Sequence, residues 1–405
     1  MQTLYRGGRI FDGAALHVDH ALLTEGDRIV RLAPAAEFDG FAGRVVDTAG
    51  GTVLPGLIDC HVHLCYGAEG NPAAVIDTLS DAKLALKVLD NARITLEAGV
   101  TAVRDCGGRN HVELAARDEI NRRRFPGPTV RAAGRMICMT GGHGNRWGRV
   151  ADGEAEVIKA VREQIHAGAD LIKIMATGGV MTPGVDPEDA HYTEGELRAG
   201  VSEAKRFRRK SASHAQGTAG ILNATRAGVD SIEHGIFLTE AAAEEMRQRG
   251  TYLVPTLAAV MNILTNADKG IPAWAVEKSR RVAERHRDSI KLFHRLGGRI
   301  AMGTDAGTPF NAHGANALEL AYMVEVGMSP IDALIAATAN AADLVGLDDH
   351  GRLAEGAIAD LLVVDGDPTR DIAAAADRAR HRRVVKNGAV VVDRPAPADA
   401  AAAAL

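Results

Sequence analysis

Two histidines stand two residues apart in Leu57-Ile58-Asp59-Cys60-His61-Val62-His63. Side chains alternate along an extended strand, so His61 and His63 point to one side. A buried side is a costly place for two imidazoles unless they have partners. A shared metal ion meets that need, since neutral imidazole and carboxylate are favoured zinc ligands. Further along come Lys173 within Leu171-Ile172-Lys173-Ile174-Met175, then Ser213-His214, Ile232-Glu233-His234-Gly235 and Gly303-Thr304-Asp305-Ala306-Gly307. Singly, each has a bland explanation: a hydrogen-bonded core histidine, a turn-forming aspartate, a lysine snorkelling to the surface. The ordered set of four histidines, one lysine and one aspartate is stronger than its members. Lys173 has its own chemistry. An ammonium beside two divalent ions is repelled, and burial favours the neutral amine. A neutral amine can take up carbon dioxide as a carbamate, an anionic ligand with two oxygens that links two metals.

These residues need elements that bring them to one place. Eight apolar segments read as strands: Leu57–Leu64, Thr101–Cys106, Thr129–Ala133, Leu171–Ala176, Ser211–Gln216, Ser231–His234, Thr251–Leu257 and Arg299–Thr304. Helical stretches fill the gaps. Asp152–Gly168 carries Val157, Ile158, Val161 and Ile165 at helical spacing. Thr193–Arg209 opens with Thr193 three residues before Glu196, the pattern of a capping box. Pro330–Leu344 reads as one further apolar helix. Eight alternations predict an α/β fold, a (β/α)₈ TIM-like barrel over 57–350, whose sites lie at the C-terminal ends of the strands. A doubly wound open sheet is the alternative, but no G-x-G-x-x-G follows the first strand. The two ends read as short strands. Ala21–Thr24 and Arg28–Leu32 flank a turn, Asp360–Asp365 is an apolar strand, and Val384–Lys386 meets Ala389–Val391 through Asn387-Gly388, a strong hairpin signal. Residues 1–56 and 351–394 are therefore expected to form one small β-sandwich domain from both termini. Residues 395–405 are expected to be a disordered tail.

The whole chain is compatible with this plan. Its 405 residues, 46% hydrophobic and 24% charged, exclude collagen, coiled coil and extensive disorder. Lys+Arg 47 against Asp+Glu 52 gives no global basic field for nucleic acid or anionic membrane. No apolar run reaches the roughly 18 residues of a membrane span. Met1 to Arg9 lacks a basic segment followed by an apolar stretch, so no secretory signal is expected. The four cysteines, Cys60, Cys65, Cys106 and Cys138, are no disulfide framework. The expectation is a soluble cytoplasmic enzyme with a small-molecule substrate and no nucleic-acid or membrane partner. Homo-oligomer formation is left open.

Pro55-Gly56-Leu57-Ile58-Asp59-Cys60-His61-Val62-His63, Lys173, Ser213-His214, Ile232-Glu233-His234-Gly235 and Gly303-Thr304-Asp305 together resemble the metal-dependent amidohydrolase superfamily. The resemblance covers almost the whole chain, including Gly356–Leu361 and the closing Val385–Gly388 hairpin. Gly141-Gly142-His143-Gly144 and Ala176-Thr177-Gly178-Gly179-Val180 look most like the binuclear, prolidase-like branch, which hydrolyses dipeptides and N-acyl amino acids. That branch often carries an aromatic residue or histidine two positions after the fifth-strand ligand; this chain carries Gln216. The resemblance implies two divalent ions, zinc foremost, with manganese or cobalt also suited to such ligands. It places His61, His63 and Asp305 on the more buried ion, His214 and His234 on the other, and carboxylated Lys173 between them. It implies a hydroxide nucleophile, because a bound divalent ion brings the pKa of water to about 7. Asp305 would take the proton and pass it to the leaving amine.

Substrate contacts are sought on the loops. The Gly141–Trp147 loop offers His143 and Arg146, one for the scissile carbonyl or a substrate carboxylate, the other with a planar fork matched to a carboxylate. Its glycines permit close backbone approach. His191, Tyr192 and His313 are expected near the mouth of the site, and Gln216 beside it. Cys60 alternates away from the metals and reads as a small buried hydrophobe. Two other readings compete. A mononuclear cyclic-amide hydrolase (imidazolonepropionase-like) or deaminase would have no use for Lys173. A non-catalytic scaffold on the same fold would be expected to have lost ligands, and all six are present.

Overall fold

The hairpin signals at the two ends of the chain become two sheets in the computed structural model, which describes residues 1–395. The expected tail from 396 to 405 lies outside the described residues. Contacts divide the chain into two units: 1–58 with 94–102 and 314 onward, and 59–93 with 103–313.

In the first unit, Arg28–Pro34, His20–Glu25, Gln2–Arg6 and Arg44–Asp47 form a four-stranded sheet in that order. A six-stranded sheet runs Ala389–Asp393, His381–Lys386, Leu361–Asp365, Gly51–Pro55, Arg9–Phe11, Leu16–His17. Both chain ends meet there, as Leu361 pairs with Pro55 and Asp365 with Gly51 in antiparallel register. The Asn387-Gly388 turn has φ of 50° and 73°, the left-handed pair that matches strand twist in a tight hairpin. Tyr5, Leu22, Ile29 and Val46 of the smaller sheet share one apolar cluster with Ile10, Val53, Leu361, Val363 and Val385 of the larger. The predicted helix Pro330–Leu344 is broken into Pro330–Ala336 and Ala339–Val345. Thr338 sits at φ −130°, ψ −92° between them, and the Ala337 carbonyl accepts from the Ile58 N–H at 2.8 Å instead of continuing the helix.

Two further sheets are built on parallel strands. One sheet runs Thr129–Ala132, Val100–Asp105, Leu57–Val62; another runs Arg149–Val150, Ile137–Cys138, Leu171–Met175, Lys210–Ala215, Ser231–His234, Tyr252–Val254. Parallel strands joined by helices bury both faces, which accounts for the unbroken burial of Leu171–Met175 and Ser231–His234. Two expected strands are shorter than their apolar runs. Thr251–Leu257 pairs only over Tyr252–Val254, because Thr256 turns to φ 54° and opens the helix Leu257–Thr265. Arg299–Thr304 forms no continuous ladder but still bridges its neighbours. Leu253 N–H donates to Arg299 O on one side, and Cys60 N–H to Met302 O and Asp305 N–H to His61 O on the other. Asp170 N–H to Ala132 O, at 2.8 Å, links the two sheets at their other ends.

Two predicted helices settle close to their expected ends, as Glu154–His166 and Glu194–Arg206. Thr193 and Glu196 form the reciprocal capping box expected of them. All four cysteines are buried, and none is in a disulfide among the described residues. No helix among the described residues is long and apolar enough to cross a membrane.

Candidate active site

His61, His63, Lys173, His214, His234 and Asp305 line a single cavity of about 480 Å³ within the second unit. The four histidines come from strand C-terminal ends or the residue just after, and Lys173 from the middle of Leu171–Met175. The His61 Nε2 lies 3.5 Å from Asp305 Oδ1 and 3.5 Å from Lys173 Nζ, and His63 Nε2 lies 3.3 Å from Asp305 Oδ1. Ring centroids of His61 and His234 are 5.2 Å apart, and those of His214 and His234 are 4.6 Å apart. His234 and Asp305 adopt φ of 71° and 61°. Non-glycine residues rarely hold that conformation, and it collects at functional sites where surrounding structure enforces it.

Each histidine spends one ring nitrogen on a partner away from the cluster. His61 Nδ1 meets Glu233 Oε2 at 2.7 Å, His63 Nδ1 meets the Gly107 carbonyl at 2.7 Å, and His234 Nδ1 meets Thr256 Oγ1 at 2.7 Å. His214 uses Nε2 on the Gly178 carbonyl, at 2.8 Å. That leaves Nε2 of three rings and Nδ1 of the fourth for the cavity. Metal-ligating histidines are oriented in this way by their outer partners.

The electrostatics suit ligation too. Burial, then the Lys173 charge, holds His61 well below the usual imidazole range, and burial does the same to His214. His234 is pushed down to about 3, chiefly by burial. Burial opposes ionisation of Asp305, but the neighbouring His61 and His63 outweigh it and hold the carboxyl far below its ordinary value. His63 moves the other way: burial disfavours its charge, yet the Asp305 hydrogen bond and charge raise it. Lys173 is 2% exposed and has no carboxylate partner among the described residues. Ligand atoms of His61, His63 and Asp305 lie within 4.8 Å of one another. The donor set therefore fits divalent metal. A second trio, His61, Cys106 and Glu233, is equally close, but Glu233 is already saturated by Arg104 Nη2 at 2.7 Å and Ser231 Oγ at 2.5 Å besides His61.

Of the residues expected to touch substrate, His143, Arg146 and Gln216 line the cavity, while His191, Tyr192 and His313 do not. Tyr192 donates its hydroxyl to Ala151 O at 2.7 Å. His313 Nε2 lies 3.2 Å from His63 O, and His191 Nδ1 accepts from the His143 N–H. Arg146 pairs with Asp77, whose other oxygen accepts from Trp147 Nε1 at 3.0 Å. Gln216 is 4% exposed and its Oε1 has no donor among the described residues. Cys60 packs as a buried small residue beside the cluster.

Sequence reasoning passed over Asp59, Arg104, Glu233 and Thr256. Asp59 Oδ1 accepts from His61 N–H at 3.0 Å and Thr304 N–H at 3.1 Å, and Oδ2 from Thr304 Oγ1 at 2.6 Å. Asp59 shares the face of His61 and His63, and Glu233 adjoins His234; a charged residue inside an apolar strand was the available signal.

The amidohydrolase family model matches residues 52–391. Ochratoxinase of Aspergillus niger is 33% identical over 353 residues, covering 79% of this chain and 71% of that protein. A solved Xaa-Pro dipeptidase with methionine bound in its active site is 33% identical at a TM-score of 0.89, covering 96% of this chain and 99% of that one. A prolidase complexed with N-methylphosphonate-L-proline is 33% identical at a TM-score of 0.88, covering 98% and 100%. With a family model spanning most of its length and relatives of this identity and coverage, the chain belongs to the amidohydrolase family.

Proposed function

We propose that this amidohydrolase cleaves the amide bond of a dipeptide or an N-acyl amino acid, using two divalent ions, zinc by its donor set, and that its chain forms a (β/α)₈ barrel and a β-sandwich from both termini. The observation that carries the binuclear reading is Lys173, its buried Nζ 3.5 Å from His61 Nε2. Carboxylated by carbon dioxide, it would link an ion on His61, His63 and Asp305 to one on His214 and His234. Bound, the ions would supply Lewis acidity and a hydroxide at neutral pH. Asp305, held ionised, accepts the proton of the attacking water and returns it to the leaving nitrogen. His143 turns its ring to the cavity to meet the scissile carbonyl oxygen. Arg146 is the fork for a substrate carboxylate, which would exchange with Asp77. Gln216 Oε1 takes a substrate N–H, because a buried acceptor left unpaired is costly.

The relatives support amide chemistry: one is a Xaa-Pro dipeptidase, another a prolidase complexed with N-methylphosphonate-L-proline. The test is a screen of dipeptides and N-acyl amino acids against protein loaded with zinc and bicarbonate, reading amino acid release. For the best substrate, the free acid should exceed its C-terminal amide in kcat/KM by about 1.5–3 kcal/mol of transition-state binding, the range for hydrogen bonds to charged groups. Arg146→Ala should abolish that difference. Equal rates for acid and amide in the wild type would discard the carboxylate site and favour a lactone, carbamate or cyclic amide.

A further inference from the structure

Lys278 lies on the helix Ala273–Arg295, which carries no residue assigned above. Its ammonium donates to three backbone carbonyls of one loop: Val185 at 2.5 Å, Thr182 at 2.7 Å and Gly179 at 3.3 Å. Those three acceptors match the three protons of an ammonium. The Trp274 ring covers it, 5.3 Å from Nζ to centroid. Arg281, one turn on, pairs with Asp186 of the same loop.

Two of the three gripped residues are the ones that hold His143. Thr182 Oγ1 lies 2.7 Å from His143 Nδ1. Gly179 lies directly beneath the ring: a Cβ there would come within 2.6 Å of both Cε1 and Nε2. The ring is thus fastened at one nitrogen and seated on a bare backbone, with its centroid 4.4 Å from that of His214. Converging carbonyl dipoles repel one another, so this loop shape needs a cation among them. Without it, three polar groups would have to find other partners, and the seat of His143 would shift with them.

We infer that Lys278 is a positioning residue, which fixes the 179–185 loop so that Thr182 and Gly179 aim His143 into the cavity, and which acts on turnover only through His143. The inference rests on the reading above in which His143 meets the scissile carbonyl.

The experiment is a mutant cycle on the full zinc-loaded chain, with kcat, KM and metal content measured together. Lys278→Met and Thr182→Val should each lower kcat by about 10- to 100-fold, the cost of a misplacement near 1 Å, while metal content holds. Thr182→Ser keeps the hydroxyl and should restore turnover. In a His143→Ala background, Lys278→Met and Thr182→Val should cost little more, because residues acting through one shared group are not additive. A full further loss in that background overturns the inference. So does a Thr182→Val enzyme with wild-type kcat. Should Lys278→Met fail to fold, Lys278→Arg, whose planar fork cannot place three protons on the three carbonyls, takes its place in the cycle with the same loss of kcat expected. A second readout is independent of turnover: long-range ¹H–¹⁵N spectra of histidine-labelled protein should show one fixed His143 tautomer in wild type and Thr182→Ser, and lose it in Thr182→Val and in Lys278→Met; a fixed tautomer kept in Lys278→Met overturns the inference. A wild type unable to cleave any amide would sink the proposed function, and that spectrum would still decide the positioning.

Discussion

Glu233 is fully buried among charges, and what it touches governs the histidine cluster. One oxygen accepts from Arg104 and Ser231, the other from His61 Nδ1. It thereby fixes which His61 nitrogen faces the cavity and raises the basicity of that nitrogen. Arg104 is 2% exposed, so the pair gives a buried guanidinium the partner it requires; removing one side of such a pair costs about 3–5 kcal/mol. Glu233→Gln is therefore expected to lower zinc affinity by about 10- to 100-fold, read by competition with a chelator, with a melt alongside to measure the lost ion pair. Unchanged affinity would show that His61 does not depend on this carboxylate. Lys173 offers a separate check. Reconstituted with zinc and bicarbonate, the wild type should hold about two ions per chain, the complement of a two-metal site, and Lys173→Ala should hold fewer. Elemental analysis of the wild type finding one ion or none would remove the bridging role.

Among the elements, the helix Glu194–Arg206 shows how local signals and packing combine. Thr193 accepts the Glu196 N–H, and the Glu196 carboxylate takes the Thr193 N–H at 2.9 Å. Leu197, Val201 and Ala204 face inward. Neither Thr193 nor Glu196 lines the cavity, so loss of the cap should be felt in stability. Thr193→Ala is expected to cost about 1 kcal/mol, seen as a lower urea midpoint with kcat unchanged. A matching loss of kcat would tie this helix to the site. Elsewhere apolar periodicity overreached. Nothing in Pro330–Leu344 marks Thr338 as a break, since the Ala337 carbonyl leaves the helix for a residue nearly 300 positions earlier, Ile58. The strand run ending at Leu257 likewise hid a turn, because Thr256 takes a left-handed conformation that its residue type does not advertise.

At the scale of the molecule, burying so many imidazoles makes the fold sensitive to acid. His286 is 1% exposed, with Nε2 on the Pro255 carbonyl at 2.7 Å, and burial lowers it to about 4; His143 is lowered to about 3 for the same reason. In the unfolded chain these groups titrate near about 6.5. Below that pH the unfolded state binds protons that the folded state refuses. Stability is therefore whole above about pH 6.5 and is lost as pH falls towards about 4 for His286, and further for His143. Each such histidine contributes up to about 1.4 kcal/mol per pH unit in that window. Urea unfolding of the chelator-treated chain should show a falling midpoint between about pH 7 and pH 5, with a shallower fall in His286→Gln, which keeps a donor for Pro255. A midpoint indifferent to pH would mean these rings accept protons in the folded state.

The sequence by itself determined the direction of the chemistry-bearing side chains. Strand alternation turns His61 and His63 to one face, and parallel strands bring His214, His234 and Lys173 to the same end, so the candidate ligand set was legible from period and order alone. The β-rich ends were legible for the same reason, through turn dipeptides and alternating apolar residues. What holds those ligands was decided only by tertiary structure. Arg104 reaches Glu233 across 129 positions, Lys278 reaches Thr182 across 96, and Arg146 meets Asp77 across 69. Such pairings have no period to betray them, because they arise when separate loops and strands close around one cavity. Local residue pattern sets where a side chain points along its own element, whereas the identity of its partner depends on the three-dimensional path of the rest of the chain.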